Sequence, residues 1–248
     1  MKTILGVFVA LGAVLISCND SNTPGTAGVQ LEMKATASIS KISASGRSMA
    51  TGAIFRQVLL GVTELEFESA EENQVEAEND AHDGDGDGEA ENEKVEYHGS
   101  YVVDLIKGTS TPDFGIADLL PGTYEEMEIN VGPVLDSGKS ILVAFDIPRS
   151  GADTLKIEFS TSAELQLELE RDAGFQLDGG ALNQMLVLFN LDSLIENIDF
   201  SQAVVDADGI IRINEHSNTD LALHLASNFY HSMEAGEDHD HNEEIDED

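Results

Sequence analysis

The groups in this chain best placed to do chemistry are carboxylates and a pair of histidines. "HDGDGDGEAENE", His82 to Glu93, spaces Asp83, Asp85 and Asp87 two apart with glycines between them. An EF-hand-type calcium loop needs oxygens at positions one, three and five, a Gly at six, a backbone carbonyl at seven and a bidentate Glu at twelve. Counted from Asp83, the chain supplies Asp83, Asp85, Asp87, Gly88 and Glu89, but position twelve is Lys94. Glu93 or Glu96 stands in only if the backbone deviates. Two readings stay open: a solvated acidic loop between strands, or a weak calcium site of the extracellular kind. Calcium is the one cofactor this segment admits.

The second group is "EDHDHNEE", with His239 and His241 among carboxylates. Imidazole with carboxylate suits zinc, copper or nickel. A flexible His-x-His has no preformed geometry, so the segment reads either as a metal binder or as a solubilising charge brush. Asp220 and His224 stand four apart on the polar side of a predicted helix and form a surface pair. His98 belongs to the wet face of a strand, opposite Tyr97 and Tyr101. "SGKS", Ser137 to Ser140, lacks the upstream Gly and the following helix of a phosphate loop. The chain has no G-x-S-x-G elbow and no H-E-x-x-H. A non-enzymatic protein is the expectation.

These groups must be carried by a fold, and the bulk numbers bound it. The 248 residues are 41% hydrophobic, enough for one sizeable core. Net charge is −36, from 12 basic and 48 acidic residues. Nucleic acid is excluded as a partner, because binding it relies on Lys and Arg neutralising phosphates. Anionic headgroups would also repel this chain. Residues 69–93 carry eleven acids and no base, and residues 234–248 carry nine acids and no base. The excess charge therefore belongs to an insertion, 69–94, and a tail, 234–248. Both read as disordered.

The N-terminus "MKTILGVFVALGAVLISC" has Lys2, then an apolar run from Ile4 to Ile16. That run is short for a membrane span and fits a secretory signal. Leu15-Ile16-Ser17-Cys18 resembles the bacterial lipoprotein lipobox. The resemblance implies cleavage after residue 17 and lipid on Cys18. Cys18 is the chain's lone cysteine, so there is no intramolecular disulfide framework. Residues 18–28 follow as a flexible, Ser/Thr/Asn/Gly-rich tether. The implied location is the bacterial cell envelope, anchored at the outer membrane. The membrane is the one partner named by the sequence; a protein or small-molecule ligand is not.

From 29 to 233 the pattern is that of antiparallel β. Val29, Leu31, Met33 and Ala35 alternate with polar residues, as do Leu65 and Phe67 with Glu64, Glu66 and Glu68. Ile141, Val143, Phe145 and Ile147 continue the theme. "KIEFSTSAELQLELE" is one long strand, or two with a bend near Ser160 to Ser162. Met185 to Leu191 is apolar throughout and reads as a central strand. Pro121-Gly122, Asp136 to Lys139 and Asp206 to Gly209 are turns. Two helical pieces are expected: Asp192 to Asn197 with Asp192 as N-cap, and a longer one after Asn218 or Thr219. The longer helix presents Leu221, Ala222, Leu225, Ala226, Phe229 and Met233 on one face. The fold class is a mainly β, antiparallel sandwich with one or two short helices near the C-terminus.

"VLLGVTELEF" (Val58 to Phe67), "VVDLI" (Val102 to Ile106) and "LLPGTYEEMEINVG" (Leu119 to Gly132) resemble a family of secreted bacterial β-sandwich domains filed as domain of unknown function 4382. The resemblance covers Val29 to Leu191 and implies a fold rather than a chemistry. The Ser-rich stretch "SISKISASGRS" and the acidic insertion depart from it. A similar look is shared by a periplasmic, metal-associated β family related to methanobactin uptake. Neither resemblance implies an enzyme.

Overall fold

The computed structural model describes residues 25–37, 48–50, 52–70, 94–149 and 153–246. Its strands are β1 (Ala27–Thr36), β2 (Ser48–Ala50), β3 (Ala53–Ser69), β4 (Lys94–Asp104), β5 (Thr109–Thr111), β6 (Ile116–Leu119) and β7 (Gly122–Val131). There follow β8 (Ile141–Pro148), β9 (Thr154–Thr161), β10 (Leu165–Leu177) and β11 (Leu182–Asn190). Helix α1 (Leu191–Leu194), a 3-10 turn (Phe200–Gln202), β12 (Ile210–Ile213), α2 (Thr219–Tyr230) and β13 (Met233–Glu237) complete the chain.

These elements form a two-sheet β-sandwich. The small sheet has the order β13-β11-β1-β6. The large sheet runs β10-β7-β3-β8-β9-β12, with β2 and β4 on the other side of β3 and β5 beyond β4. The alternation read from the sequence sets the inner faces. Val29, Met33 and Ala35 from β1 meet Phe55, Leu60, Phe67, Phe145 and Phe159 from the large sheet in one buried core. Phe55 and Phe145 stack with ring centroids 5.1 Å apart.

Most pairings are antiparallel, as expected, but β1 with β11 and β9 with β12 are parallel. Parallel pairing needs a crossover, and the chain between β1 and β11 builds most of the large sheet. β11 lies between β1 and β13, and Met185, Leu186 and Val187 are fully buried, which is the central strand the apolar run implied. The "KIEFSTSAELQLELE" segment is two strands. β9 pairs with β8 and β10 with β7.

β3 changes partners midway, from β8 over residues 54–60 to β7 over 62–69. Gly61 is the switch. Its N–H donates to Ser140 O (2.8 Å) and its carbonyl accepts from Gly132 N (2.9 Å). A Cβ at Gly61 would stand 2.6 Å from Gly132 O, so the two glycines let three strands meet. At Pro121-Gly122, Tyr124 Oη donates to Leu120 O (3.1 Å) and braces the entry to β7. Ser137 and Gly138 both have positive φ and form a tight hairpin turn before β8, so "SGKS" is a turn.

Both helices differ from expectation at their ends. α1 is capped by Asn190, whose Oδ1 accepts from Asp192 N and Ser193 N, and not by Asp192. α2 stops at Tyr230, so Met233 belongs to β13. Asn218 precedes α2 in a left-handed conformation and makes no side-chain cap. Its amide instead ties Val204 to Arg212. Leu225 and Phe229 carry the buried face of α2.

The segment from residue 234, whose composition reads as disordered, contributes β13, and the described chain continues through Asp246. β13 pairs with β11 from Met233↔Phe189 to Glu237↔Met185. The backbone ladder and a buried Glu237 hold a segment whose composition alone could not bury enough apolar surface. Ser69 and Lys94, the ends assigned to the acidic insertion, lie in β3 and β4.

Candidate metal centre

Beyond β13 the chain turns back on itself. Asp238 N donates to Gln184 O (3.1 Å), prolonging the β11 ladder, and Asp246 N returns to Glu237 O (3.0 Å). The intervening loop wraps the Asp238 carboxylate, which is fully buried. Asn242 N and Glu243 N each donate to it, at 3.0 Å. His241 and Glu243 have φ of 57° and 68°, in the left-handed region. Asp246 Oδ2 accepts from His239 N (2.7 Å) and faces His239 Nδ1 at 3.2 Å. Ile245 closes the loop over Gly236, where a Cβ would stand 2.3 Å from Ile245 Cγ2.

This wrapping brings one oxygen each from Asp238, Asp240 and Asp246 within 4.8 Å of one another. Two oxygens bound to one calcium, each at about 2.3–2.6 Å, can be up to roughly 5 Å apart. Each pair of these oxygens is therefore within the span that two ligands of one calcium ion can have. A carboxylate oxygen has a second lone pair, so the backbone N–H bonds to Asp238 leave it able to coordinate.

Counted from Asp238, the chain places Asp240 at position three, Asn242 at five and Asp246 at nine. Through position nine this is the spacing of an EF-type loop. Glu243 takes the left-handed position six, where such loops place Gly. The sequence carries this signal as D-x-D-x-N at 238 to 242, beside the histidines that point to a transition metal.

The predicted residues fall as follows. Asp83, Asp85, Asp87 and Glu89 lie outside the described residues, as does Cys18. His239 turns to Asp246, and His241 Nδ1 meets Gln184 Oε1. Among the described residues, neither tail histidine belongs to a group of three close ligands. Asp220 and His224 are both exposed on α2.

Two further carboxylate groups sit on the outer face of the large sheet. Strand register lays out three rows across β4, β3, β7 and β10. They are His98-Glu64-Asn130-Gln166, Glu96-Glu66-Glu128-Glu168 and Lys94-Glu68-Glu126-Glu170. His98 is bracketed by Glu64 (3.1 Å) and Glu96 (3.3 Å), both on its ring nitrogens. Glu128 accepts from Asn130 Nδ2 (2.6 Å) and Gln166 Nε2 (2.5 Å). Lys94 Nζ donates to Glu66 (2.5 Å), which holds its ammonium well above the ordinary Lys range. Burial, and then the charges of Glu168, Glu68, Glu170 and Glu128, push the Glu126 carboxyl up. Both groups meet the same 4.8 Å distance as the tail trio, which differs in the complete burial of one member, Asp238.

Comparison with protein-family models, curated proteins and solved structures gives no match for this chain.

Proposed function

We propose that this protein is a lipid-anchored, non-enzymatic β-sandwich of the bacterial cell envelope whose C-terminal loop holds a calcium-class divalent cation. The observation that carries the binding role is the convergence of Asp238, Asp240 and Asp246 within 4.8 Å, with Asp238 fully buried. Like charges so placed repel one another, and a cation at their centre removes the repulsion. The anchor is supported by the apolar run from Ile4 to Ile16 and by Leu15-Ile16-Ser17-Cys18. Among the described residues no helix is long and apolar enough to cross a membrane. The non-enzymatic reading is supported by a sequence without nucleophile-elbow or zinc-protease motifs.

Calorimetry on the protein purified from membranes tests the binding role. Calcium should release or absorb heat with a single-site isotherm, and Asp238→Asn should abolish it. Zinc binding that survives Asp238→Asn but not loss of His239 and His241 would favour the imidazole reading of the tail instead. The anchor is tested by fractionation: Cys18→Ala should move the protein out of the membrane fraction. No calcium heat would leave an envelope sandwich with a different ligand.

A further inference from the structure

The described chain starts at one end of the small sheet, and exposed aliphatic side chains gather there. Ile116 on β6 and Leu182 on β11 flank Gly28 on β1. A Cβ on Gly28 would stand 3.3 Å from Ile116 Cγ2 and 3.5 Å from Leu182 Cδ1. Leu120 follows β6 on the same side as Ile116, because Leu119 between them turns inward and is 1% exposed. Ile116, Leu120 and Leu182 are 61%, 48% and 51% exposed. Gly28, having no side chain, leaves Ile116 and Leu182 as neighbours. A lone exposed aliphatic needs no explanation, but adjacent ones mark a surface that meets something.

The position of this patch identifies what it meets. Gly25 packs against Gly180, beside the same strand ends. Cys18 precedes Gly25 by seven residues. Even a fully extended chain of that length spans no more than about 25 Å. Lipid on Cys18 would therefore hold this end of the sandwich close to the bilayer. We propose that Ile116, Leu120 and Leu182 dock this end on the bilayer surface that holds the Cys18 lipid, fixing the orientation of the sandwich. The proposal rests on the lipid-anchor reading given above.

Charge narrows the kind of surface. Asp118 stands between Ile116 and Leu120 on β6. The Asp238 loop reaches Gln184, two residues from Leu182. Anionic headgroups would be repelled by these acids, so the surface is zwitterionic and the contact apolar.

The chain has no Trp, so a single introduced Trp reports its own surroundings. Full chains carrying Leu182→Trp, Ile116→Trp or, as control, Leu223→Trp on α2 are reconstituted in phosphatidylcholine vesicles with doxyl-labelled lipid. Leu223 is 72% exposed on α2, whose Phe229 packs on Phe189 at the opposite end of β11 from Leu182. Severalfold stronger quenching and a blue-shifted emission are expected for Leu182→Trp and Ile116→Trp relative to Leu223→Trp. Equal quenching in all three overturns the docking. Mass spectrometry of the vesicle-bound chain separates this from the anchor reading. An uncut Ile4–Ile16 segment in place of lipid on Cys18 refutes the lipid anchor, while the quenching pattern still decides the docking. A chain that does not float with the vesicles overturns both.

Discussion

Arg171 on β10 and Glu237 on β13 join the two sheets by an ion pair whose carboxylate is buried and whose guanidinium is partly exposed. Arg171 Nη1 donates to Glu237 Oε2, and Gln176 N donates to the other carboxylate oxygen at 2.5 Å. Arg171 Nη2 also donates to Asp246 O (2.9 Å), so one guanidinium holds the strand and the loop that follows it. Glu237 is 3% exposed. The acidic C-terminal segment is kept on the fold by this pair and by its ladder with β11.

Breaking that pair should be expensive, because it strands a charge in the interior. Arg171→Ala should lower stability by about 3 kcal/mol, read from urea denaturation. Arg171→Ala combined with Glu237→Ala should lose less than the sum of the two single variants. Additive losses would mean that the two side chains act independently.

Calcium should stabilise the folded chain through the tail loop. At a calcium concentration a hundredfold above Kd, the gain should be about 2.7 kcal/mol. Thermal unfolding with and without the ion measures it. Asp238→Asn or Asp246→Asn should erase the gain, while a change at Asp83 should leave it in place.

Glu126 gives the outer face of the large sheet a pH signature. Its carboxyl is pushed above the ordinary Glu value of 4.5 by burial and by the surrounding glutamates. A raised folded-state value means that its favourable contribution is complete below 4.5 and is lost as pH rises through the raised value. At neutral pH the ionised group therefore opposes folding. Glu126→Gln should shift the urea midpoint upward at pH 7, and the advantage should fade as pH falls towards 4.5.

Gly61 should tolerate no side chain. Its Cβ would meet Gly132 O at 2.6 Å, a backbone atom that cannot swing away. Gly61→Ala should cost about 1–3 kcal/mol and weaken the junction of β3, β7 and β8. Amide hydrogen exchange should show the loss first at residue 61 and Gly132, whose N–H groups donate across the junction.

The strands could be read from the chain because alternation is local. Leu65 and Phe67 turn inward and Glu64, Glu66 and Glu68 outward for reasons contained in five consecutive residues. Tyr124 escaped that reading. The register of β7 slips against β3 after Glu68, and against β10 between Glu170 and Phe175. Tyr124 therefore turns inward beside Phe175, although simple alternation pairs it with Glu126. The candidate site was half legible: D-x-D-x-N at 238 to 242 is visible in the sequence, but nothing there marks Asp238 as buried.

The sequence by itself determined the class of fold, the inward faces of most strands, the turns and the excess of acid. Each depends on neighbours a few residues apart. Only the tertiary structure decided that β1 lies parallel to β11, some 150 residues away, and that "MEAGE" is a strand. It also decided that three aspartates of the tail bring oxygens within 4.8 Å of one another. Those outcomes depend on hydrogen bonds and ion pairs between distant segments, Arg171–Glu237 and Lys34–Glu243 among them, to which local periodicity is blind.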